Sequence, residues 1–207
     1  FADPSNYLTF QASAKFSGKG ATQEKPDAEQ AKIAGAAGVN FADVDNHAAV
    51  VLGRGTKVTA EDEVTVAASS KKQLVTLVGA PAWQAGADIA IGGNLGITVG
   101  DTTADTIVAE GTEITGRKAA IKATNSYDGI HLAVAAGKGG KIGFQGMANY
   151  VGGTSGAVTS VDDEAKITAA AAAQMNALNT TNITNIAGSA VLGTGAAIGL
   201  SAALNNV

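Results

Sequence analysis

The sequence has no cysteine and few aromatic side chains. Without cysteine the chain has no disulfide, no thiolate metal ligand and no cysteine nucleophile. Aromatic residues make up 4% of the chain, whereas hydrophobic residues make up 45%. The apolar content therefore comes mainly from alanine, valine and isoleucine. Small and β-branched side chains suit regular stacked strands better than a core built around large rings.

Clusters of basic residues and long apolar runs are also missing. The net charge is −4 and the pI is near 5.1, and lysine and arginine do not concentrate in any patch of the kind that binds nucleic acid. No apolar run is long enough to span a bilayer as a helix. The opening FADPSNYLTF lacks the basic start and apolar core of a signal peptide. We therefore expect no nucleic-acid partner and no membrane insertion of this segment.

The most informative feature of the sequence is an internal repeat of about 55 residues. Four segments combine an isoleucine, several small residues and an asparagine: AKIAGAAGVN, ADIAIGGN, GKIGFQGMAN and AAIGLSAALN. Their asparagines recur at nearly this interval, as Asn40, Asn94, Asn149 and Asn205. Their isoleucines do the same, as Ile33, Ile89, Ile142 and Ile198. A third pattern, LVTLVG, IHLAVA and ITNIAG, follows the same period, and LTFQAS precedes VTVAAS by one such interval.

A weaker half-period lies inside each repeat. Isoleucine or valine in a setting of small residues recurs at about half the repeat length, at Val58, Ile89, Ile114, Ile142, Ile167 and Ile198. Segments such as GTKVTAEDEVTVAAS alternate apolar and polar residues, which is typical of strands with one buried face. The pattern predicts an all-β chain folded as a parallel β-solenoid with about two turns per repeat. Seven or eight turns stacked about 4.8 Å apart would give a section of roughly 35 Å.

Local alternation also predicts which side chains point inward. In the stretch 53–80 the candidate core positions are Val58, Val64, Val66, Leu74 and Leu77. The candidate solvated turn positions are Asp62, Glu63, Lys71 and Lys72. Two stretches break the pattern. Residues 19–31 are polar and contain a proline, which predicts an inserted loop. Residues 162–178 are rich in helix formers, but the repeat register favours a strand there.

The recurrent asparagines are the candidate structural site. At one register of a solenoid, Asn40, Asn94, Asn149 and Asn205 would form a ladder of amides that hydrogen-bond from one turn to the next. Asp43 and Asp45 place two carboxylates on one face of a strand, where a calcium site is the alternative to a solvated surface. The glycine-and-aspartate nonapeptide of calcium-binding rolls is missing, and matching positions in other copies are acidic only at Asp101 and Asp105. Solvation is therefore favoured.

Catalytic, cofactor and metal sites are not indicated by any motif. His47 and His131 lie far apart in sequence and have no second histidine or cysteine nearby for zinc, and His131 is expected to face opposite to Ile130. Enzymes that cleave glycans on a β-helix bring carboxylates, a basic residue and aromatic rings together on one face. The two arginines occupy non-equivalent repeat positions and the aromatic residues share no register: Arg54, Arg117, Trp83, Tyr127 and Tyr150. The glycine-rich GKGGKIGFQG lacks the Gly-Lys-Ser/Thr ending of a phosphate loop.

The repeats resemble those of large filamentous bacterial adhesins. The resemblance rests on GVNFADVDNHAAVVLGRGTKVTAEDEVTVAASS and on its second copy, GGNLGITVGDTTADTIVAEGTEITGRKAAIKATNS. It is nearest to leukotoxin-type filamentous adhesins and looser to filamentous haemagglutinin and autotransporter passengers. The resemblance implies a right-handed parallel β-helix over residues 1–207, exported to the cell surface or beyond, that acts without catalysis in attachment. The implied partners are a receptor or glycan on a host or neighbouring cell, or further copies of the chain.

Two other functions remain open from the sequence. One is a surface filament or sheath subunit that assembles through contacts between its own copies. The other is a carbohydrate-active enzyme on a β-helix, which the scattered basic and aromatic residues disfavour.

Overall fold

The computed structural model describes residues 10–17, 33–83, 88–138 and 140–207, and these residues form β-strands with no helix. The strands are β1 (Phe10–Ser17), β2 (Ile33–Asp43), β3 (Asn46–Leu52), β4 (Lys57–Thr59), β5 (Glu63–Trp83), β6 (Ile89–Val99), β7 (Thr102–Val108), β8 (Glu113–Lys138), β9 (Ile142–Gly152), β10 (Ser155–Val161), β11 (Lys166–Leu192) and β12 (Ala196–Asn206). The all-β prediction is confirmed. The strand predicted within residues 162–178 is also confirmed, because β11 covers most of it. The predicted loop at 19–31 lies outside the described residues.

The strands form three sheets, each of which collects equivalent strands from successive repeats. Sheet A has the order β1-β2-β6-β9-β12, sheet B has the order β10-β7-β3, and sheet C joins β11 and β8 to β4 and β5. All strand pairs are parallel except β1 with β2. The chain thus passes through sheets A, B and C once in each repeat, a passage we call a circuit.

The strand register shows one circuit per repeat, so the prediction of two turns is wrong. Ile33 lies opposite Ile89, which lies opposite Ile142, so the partners in sheet A are separated by a full repeat. Val58 lies opposite Ile114 in sheet C, and so belongs to a different sheet from Ile89. Among the described strands, no parallel pair joins segments half a repeat apart. The half-period arose because similar apolar sequences occur in sheets A and C of the same circuit.

The pairing of the first strand also differs from the prediction. The match of LTFQAS to VTVAAS predicted that this segment stacks in parallel as an equivalent of β5. Instead β1 runs antiparallel along β2, with Phe10 opposite Phe41 and Ser17 opposite Ala34. The described part of β1 therefore covers one edge of sheet A rather than adding a circuit.

Sheet C forms one layer, and sheets A and B lie side by side over it. The first part of β5 faces sheet B, where the Ala68 amide donates to Thr106 Oγ1 at 3.0 Å. The last part of the sheet C strands faces sheet A, where Val78 and Ala133 pack against Met147. The apolar core between B and C consists of Val64, Val66, Val108, Ile114, Ala119 and Ile121.

Burial in β5 follows a strict two-residue period, which shows which of the predicted inward positions are correct. Val64, Val66 and Leu74 are buried as predicted, and Val58 is partly buried. Leu77 is 63% exposed, because it is out of phase with these residues, and its neighbours Thr76 and Val78 are buried instead. Lys72 is in phase with the core and is 1% exposed, so its prediction as a solvated turn residue is wrong. Asp62, Glu63 and Lys71 are exposed as predicted, but Glu63 and Lys71 lie within β5, so the prediction of turns at these two positions is wrong.

Candidate functional site

The recurrent asparagines lie on the inner side of sheet A but do not form one ladder. Asn40 lies opposite Gly96, which lies opposite Asn149, so these two asparagines share a column interrupted by glycine. Asn94 lies opposite Gly38, two positions away from that column, and Asn205 lies opposite Val151. The predicted ladder is therefore wrong in register.

The error comes from intervals that do not match the strand offsets. Pairing of Ile33 with Ile89 sets the register of β2 and β6, and the interval from Asn40 to Asn94 is two positions shorter than this offset. Conversely, the interval from Asn149 to Asn205 is two positions longer than the offset of β9 and β12. Similar spacing in the sequence thus places these asparagines in different columns.

Two of these asparagines are nevertheless connected through a residue of the opposite sheet. Asn149 Nδ2 donates to Asn185 Oδ1 at 2.6 Å, and Asn185 Nδ2 donates to Asn205 Oδ1 at 2.7 Å. Asn185 belongs to β11 in sheet C. The amide chain therefore links sheet A to sheet C as well as one repeat to the next, a contact that repeat spacing alone does not reveal.

A register-matched amide pair does occur in sheet C, at positions the sequence analysis did not select. Asn125 Nδ2 donates to Asn179 Oδ1 at 2.8 Å, and these residues lie opposite each other in β8 and β11. Thr102 Oγ1 donates to Asn125 Oδ1 at 2.9 Å, which joins the pair to sheet B. Ser70 occupies the same column one repeat earlier and contacts Thr102 Oγ1 at 3.2 Å. The recurrence of short polar side chains at 70, 125 and 179 is the signal that predicts this column.

The most unusual side chain in the interior is Lys72. Its Nζ donates to the Val44 carbonyl oxygen at 2.5 Å and lies 4.8 Å from the centre of the Tyr127 ring. A carbonyl acceptor and an aromatic face both stabilise a buried ammonium group. Burial lowers the pKa of Lys72, while the charges of the nearby Asp45, Asp101 and Asp43 act in the opposite direction.

His131 continues the same polar cluster along β8. Its side chain has no exposed surface, and it faces opposite to the exposed Ile130 as predicted. Thr76 Oγ1 lies 2.8 Å from His131 Nδ1, and the Tyr127 hydroxyl lies 3.1 Å from Nε2. Burial, with a smaller contribution from the Lys72 charge, lowers the pKa of His131 from 6.5 to about 4. Burial also raises the pKa of Tyr127. The imidazole is therefore neutral at physiological pH and bonded at both nitrogens.

We call Lys72, Thr76, Tyr127 and His131 the polar cluster. It lies beneath the corner where the chain passes from sheet A to sheet B, since its cation contacts Val44 between β2 and β3. All four side chains are buried, and each has a protein partner. The arrangement fixes sheet C to this corner, because a buried cation must keep its partners to avoid the cost of desolvation.

The same corner contains stacked aspartates. Asp45 Oδ1 accepts from the Asp101 amide at 2.8 Å, and Asp101 Oδ1 accepts from the Thr154 amide at 2.9 Å. The hydrogen bonds from Thr154 lower the pKa of Asp101. These two carboxylates therefore bind the backbone of the following repeat, while Asp43 is exposed at the end of β2. In the described part of the chain, no three acidic or histidine side chains are grouped as metal ligands would be.

Ion pairs on the outer surface also connect equivalent turns of adjacent repeats. Arg54 pairs with Glu110 at 2.6 Å, Lys57 with Glu113 at 2.9 Å, and Lys141 with Asp88 at 3.2 Å. Arg117 Nε donates to Asp62 Oδ1 at 2.7 Å. A hydrogen bond from Lys57, together with its charge, lowers the pKa of Glu113. Exposed pairs of this kind contribute little stability individually, but each one favours the same register.

The remaining candidate residues are dispersed. The exposed His47 contacts Thr103 and lies 3.8 Å from Asp105 in the next repeat. Arg54 and Arg117 pair with acids at different turns, Tyr127 is buried and Tyr150 is partly exposed in β9. Most of the described part of GKGGKIGFQG is the beginning of β9.

Comparison with known proteins does not assign the chain to a family. No protein-family model, curated protein sequence or solved structure matches the chain. Among the described residues, no helix has the length and apolar character needed to cross a bilayer.

Proposed function

We propose that this chain is a section of a secreted or surface-displayed bacterial filamentous adhesin that acts as a rigid, non-catalytic stalk or fibre. The observation that supports this proposal is the parallel pairing of the repeated sheet A, B and C strands with their equivalents one repeat away. In the proposed architecture, a right-handed parallel β-solenoid, each repeat adds one circuit. Receptor or glycan binding at the surface of a host or neighbouring cell would belong to the complete fibre.

The contacts between repeats suit a load-bearing element. Four kinds of contact join a residue to its equivalent one circuit away, or to a close neighbour of that equivalent. They are the backbone pairing, the Asn125–Asn179 pair, the stacked aspartates and the surface ion pairs. Stability in such an array comes from nearest-neighbour interfaces, so each further repeat would add a stabilising interface along the fibre.

One circuit per repeat also changes the expected dimensions. With about 4.8 Å between neighbouring strands, the four parallel strands of sheet A span only about 14 Å along the stacking direction. This is less than half of the roughly 35 Å expected from two turns per repeat. A projection of about 100 Å would need on the order of twenty such repeats. The proposed stalk is therefore broad and requires a long parent protein.

A self-assembling filament or sheath subunit is the second candidate. Within the described residues, β12, β10 and β11 lie at sheet edges with one strand partner each. Exposed edges with unpaired backbone groups favour association with further strands. A filament would differ from an adhesin stalk by requiring contacts between copies rather than a receptor.

A deletion matched to the strand register tests the proposed architecture. Removing residues 89–141 joins residue 88 to Ile142 and brings β9 opposite β2, since Ile89 is the partner of both Ile33 and Ile142. We expect this variant to keep β circular dichroism and cooperative unfolding. Removing 89–114 instead deletes β6, β7 and the start of β8, so that β5 leads directly into the rest of β8 in the same sheet C, and this should abolish folding. If the half-repeat deletion folds and the full-repeat deletion does not, the one-circuit solenoid is wrong.

The same deletions test the function in the parent protein on bacterial cells. Removal of 89–141 should preserve surface display and attachment to host cells or glycan-coated beads, because a stalk shortened by one circuit still projects its binding end. Loss of attachment at unchanged surface display would contradict a stalk role. Product release by the purified chain on a panel of surface glycans would contradict the non-catalytic assignment.

A further inference from the structure

The outer face of sheet A is apolar, whereas its inner face is mostly polar or small, with Met147 and Val151 as the larger apolar residues of β9. In β6 the inward residues are Ala90, Gly92, Asn94, Gly96 and Thr98. The outward residues are Ile89, Ile91, Gly93, Leu95, Ile97 and Val99. A sheet with one solvated face normally has the reverse arrangement, with apolar residues inside and polar residues outside.

The strand register joins these outward residues into a continuous surface, which we call the apolar face. Its columns run from Val39 to Leu95, from Phe41 through Ile97 to Tyr150, and from Ile91 through Phe144 to Ile198. The exposed fractions of Phe41, Ile91 and Ile198 are 52%, 48% and 50%. Strands β6, β9 and β12 contain no charged residue.

The apolar face is large enough to support stable association. Strands β2, β6, β9 and β12 have 11 residues each, and at about 3.3 Å per residue and 4.8 Å between strands they cover about 700 Å². Exposed apolar patches on monomers are usually smaller, about 300–600 Å². Two such faces in contact would bury about 1,400 Å², within the range of standard specific interfaces.

We propose that the apolar face packs against the same face of a second copy, so that two sections associate side by side. Apart from Asp43 at the end of β2, the described face carries no charge to recognise an ionic partner, and a second copy presents the same strand spacing and the same side chains. Two such sheets pack about 10 Å apart with interdigitated side chains. Such a contact would be one form of the self-association considered under the proposed function. It rests on the sheet arrangement proposed there, but it does not depend on attachment to a receptor.

Paired lysine substitutions test the interface. Ile91→Lys with Leu95→Lys places two like charges on the apolar face, where both side chains are already partly exposed. Thr65→Lys with Ser69→Lys is the matched control, because these residues are exposed at the same spacing on the outside of sheet C. In sedimentation equilibrium we expect dimers for the unmodified chain and for the control, and at least a tenfold weaker dimer for the Ile91/Leu95 variant. Circular dichroism verifies that each variant is folded.

A cysteine experiment keeps the proposal testable if the lysine variant fails to fold. Because the chain has no native cysteine, Leu95→Cys introduces a single thiol on the apolar face and Thr65→Cys a single thiol outside it. Under mild oxidation we expect the Leu95→Cys chain to form a disulfide-linked dimer much faster than the Thr65→Cys chain. Equal rates would overturn the proposal.

Other outcomes also exclude the second copy as the occupant. A chain that stays monomeric at high micromolar concentration, or a dimer unaffected by the Ile91/Leu95 substitutions, would overturn the proposal. Flotation of a monomeric chain with neutral phosphatidylcholine vesicles, lost in the Ile91/Leu95 variant, would assign the face to a lipid surface. If the chain forms the dimer but the attachment test fails, only the adhesin function is contradicted. If the attachment test succeeds but the chain stays monomeric, only the interface is contradicted.

Discussion

A single residue, the buried His131, makes the stability of the fold depend on pH. Its pKa is about 4 in the folded chain and 6.5 when unfolded, so between these values the unfolded state binds the proton more readily. The stability that His131 contributes is complete above pH 6.5 and is lost as the pH falls towards 4. The shift corresponds to ~3 kcal/mol. Urea denaturation across this range should show the loss.

Two substitutions isolate the contribution of His131. His131→Gln should lower stability at neutral pH, because it loses the Thr76 and Tyr127 contacts, but should flatten the dependence on pH between 6.5 and 4. His47→Gln is the control, since the His47 side chain is 58% exposed, and it should leave the slope unchanged. An unchanged slope in His131→Gln would show that another group is responsible.

Gln145 provides a second test at the residue scale. It is 1% exposed, and neither its Oε1 nor its Nε2 has a hydrogen-bond partner among the described residues. A buried amide without partners costs about 1–3 kcal/mol, so Gln145→Met, which preserves the shape, should raise the free energy of unfolding by ~1–2 kcal/mol. Thermal and urea denaturation would measure the change. A destabilised Gln145→Met variant would indicate that the amide is paired.

Glycines next to Gln145 provide the internal control for that prediction. A Cβ on Gly92 would lie 2.3 Å from the Gln145 amide, and one on Gly137 would lie 2.0 Å from it. Gly92→Ala should therefore destabilise the chain, and adding Gln145→Ala should recover part of the loss. If the two changes are instead additive, the side chains do not share this space.

The orientation of a side chain could be predicted where apolar and polar residues alternate strictly. The prediction was wrong where a charged residue was expected to be exposed because of its charge. Val64, Val66 and Leu74 follow the two-residue period. Lys72 follows it too, yet its charge suggested a solvated position. Its partners Val44 and Tyr127 are distant in sequence, so no local pattern shows that a buried ammonium group would be stabilised.

At the corners between strands, Gly100 occupies a position that tolerates no larger side chain. Its φ is +141°, and a Cβ there would lie 2.0 Å from the Val44 carbonyl oxygen. We expect Gly100→Ala to destabilise the chain by roughly 2–3 kcal/mol, because strained backbone and a steric contact add together. Gly156→Ala in β10 is the control, since its Cβ would meet no atom within 4 Å. Equal effects in chemical denaturation would contradict the corner geometry.

Strand register was only partly predictable from the repeat. The isoleucine spacing gives the correct partners Ile33, Ile89 and Ile142. The LVTLVG and IHLAVA match is wrong by one position, since Val75 rather than Leu74 lies opposite Ile130. A shift of one residue exchanges the two faces of a strand. The turns from sheet A to B and from B to C keep the same length in each repeat, but the register to β8 shifts by one position at the break between β4 and β5. Similar residues on either side of that break therefore need not share a column.

At the scale of the whole molecule, the position of a strand in the stack should determine its local stability. Strand β8 pairs with β5 on one side and β11 on the other, whereas β12 pairs only with β9 within the described residues. Side chains of β12 are exposed along its whole length, and no other described strand pairs with its outer edge. Local opening is easiest where few buried contacts must be broken.

Hydrogen exchange measures this gradient. We expect amides of β8 to exchange at least tenfold more slowly than those of β12, with β9 intermediate or close to β8. Adding one further repeat after residue 207 should slow exchange in β12 towards the rate in β8, because nearest-neighbour pairing would then act on both sides. Uniformly slow exchange in the unmodified chain would instead mean that the open edge is covered by another copy. Side-by-side contact through the apolar face would leave the edge amides of β12 fast, so the same measurement separates the two modes of association.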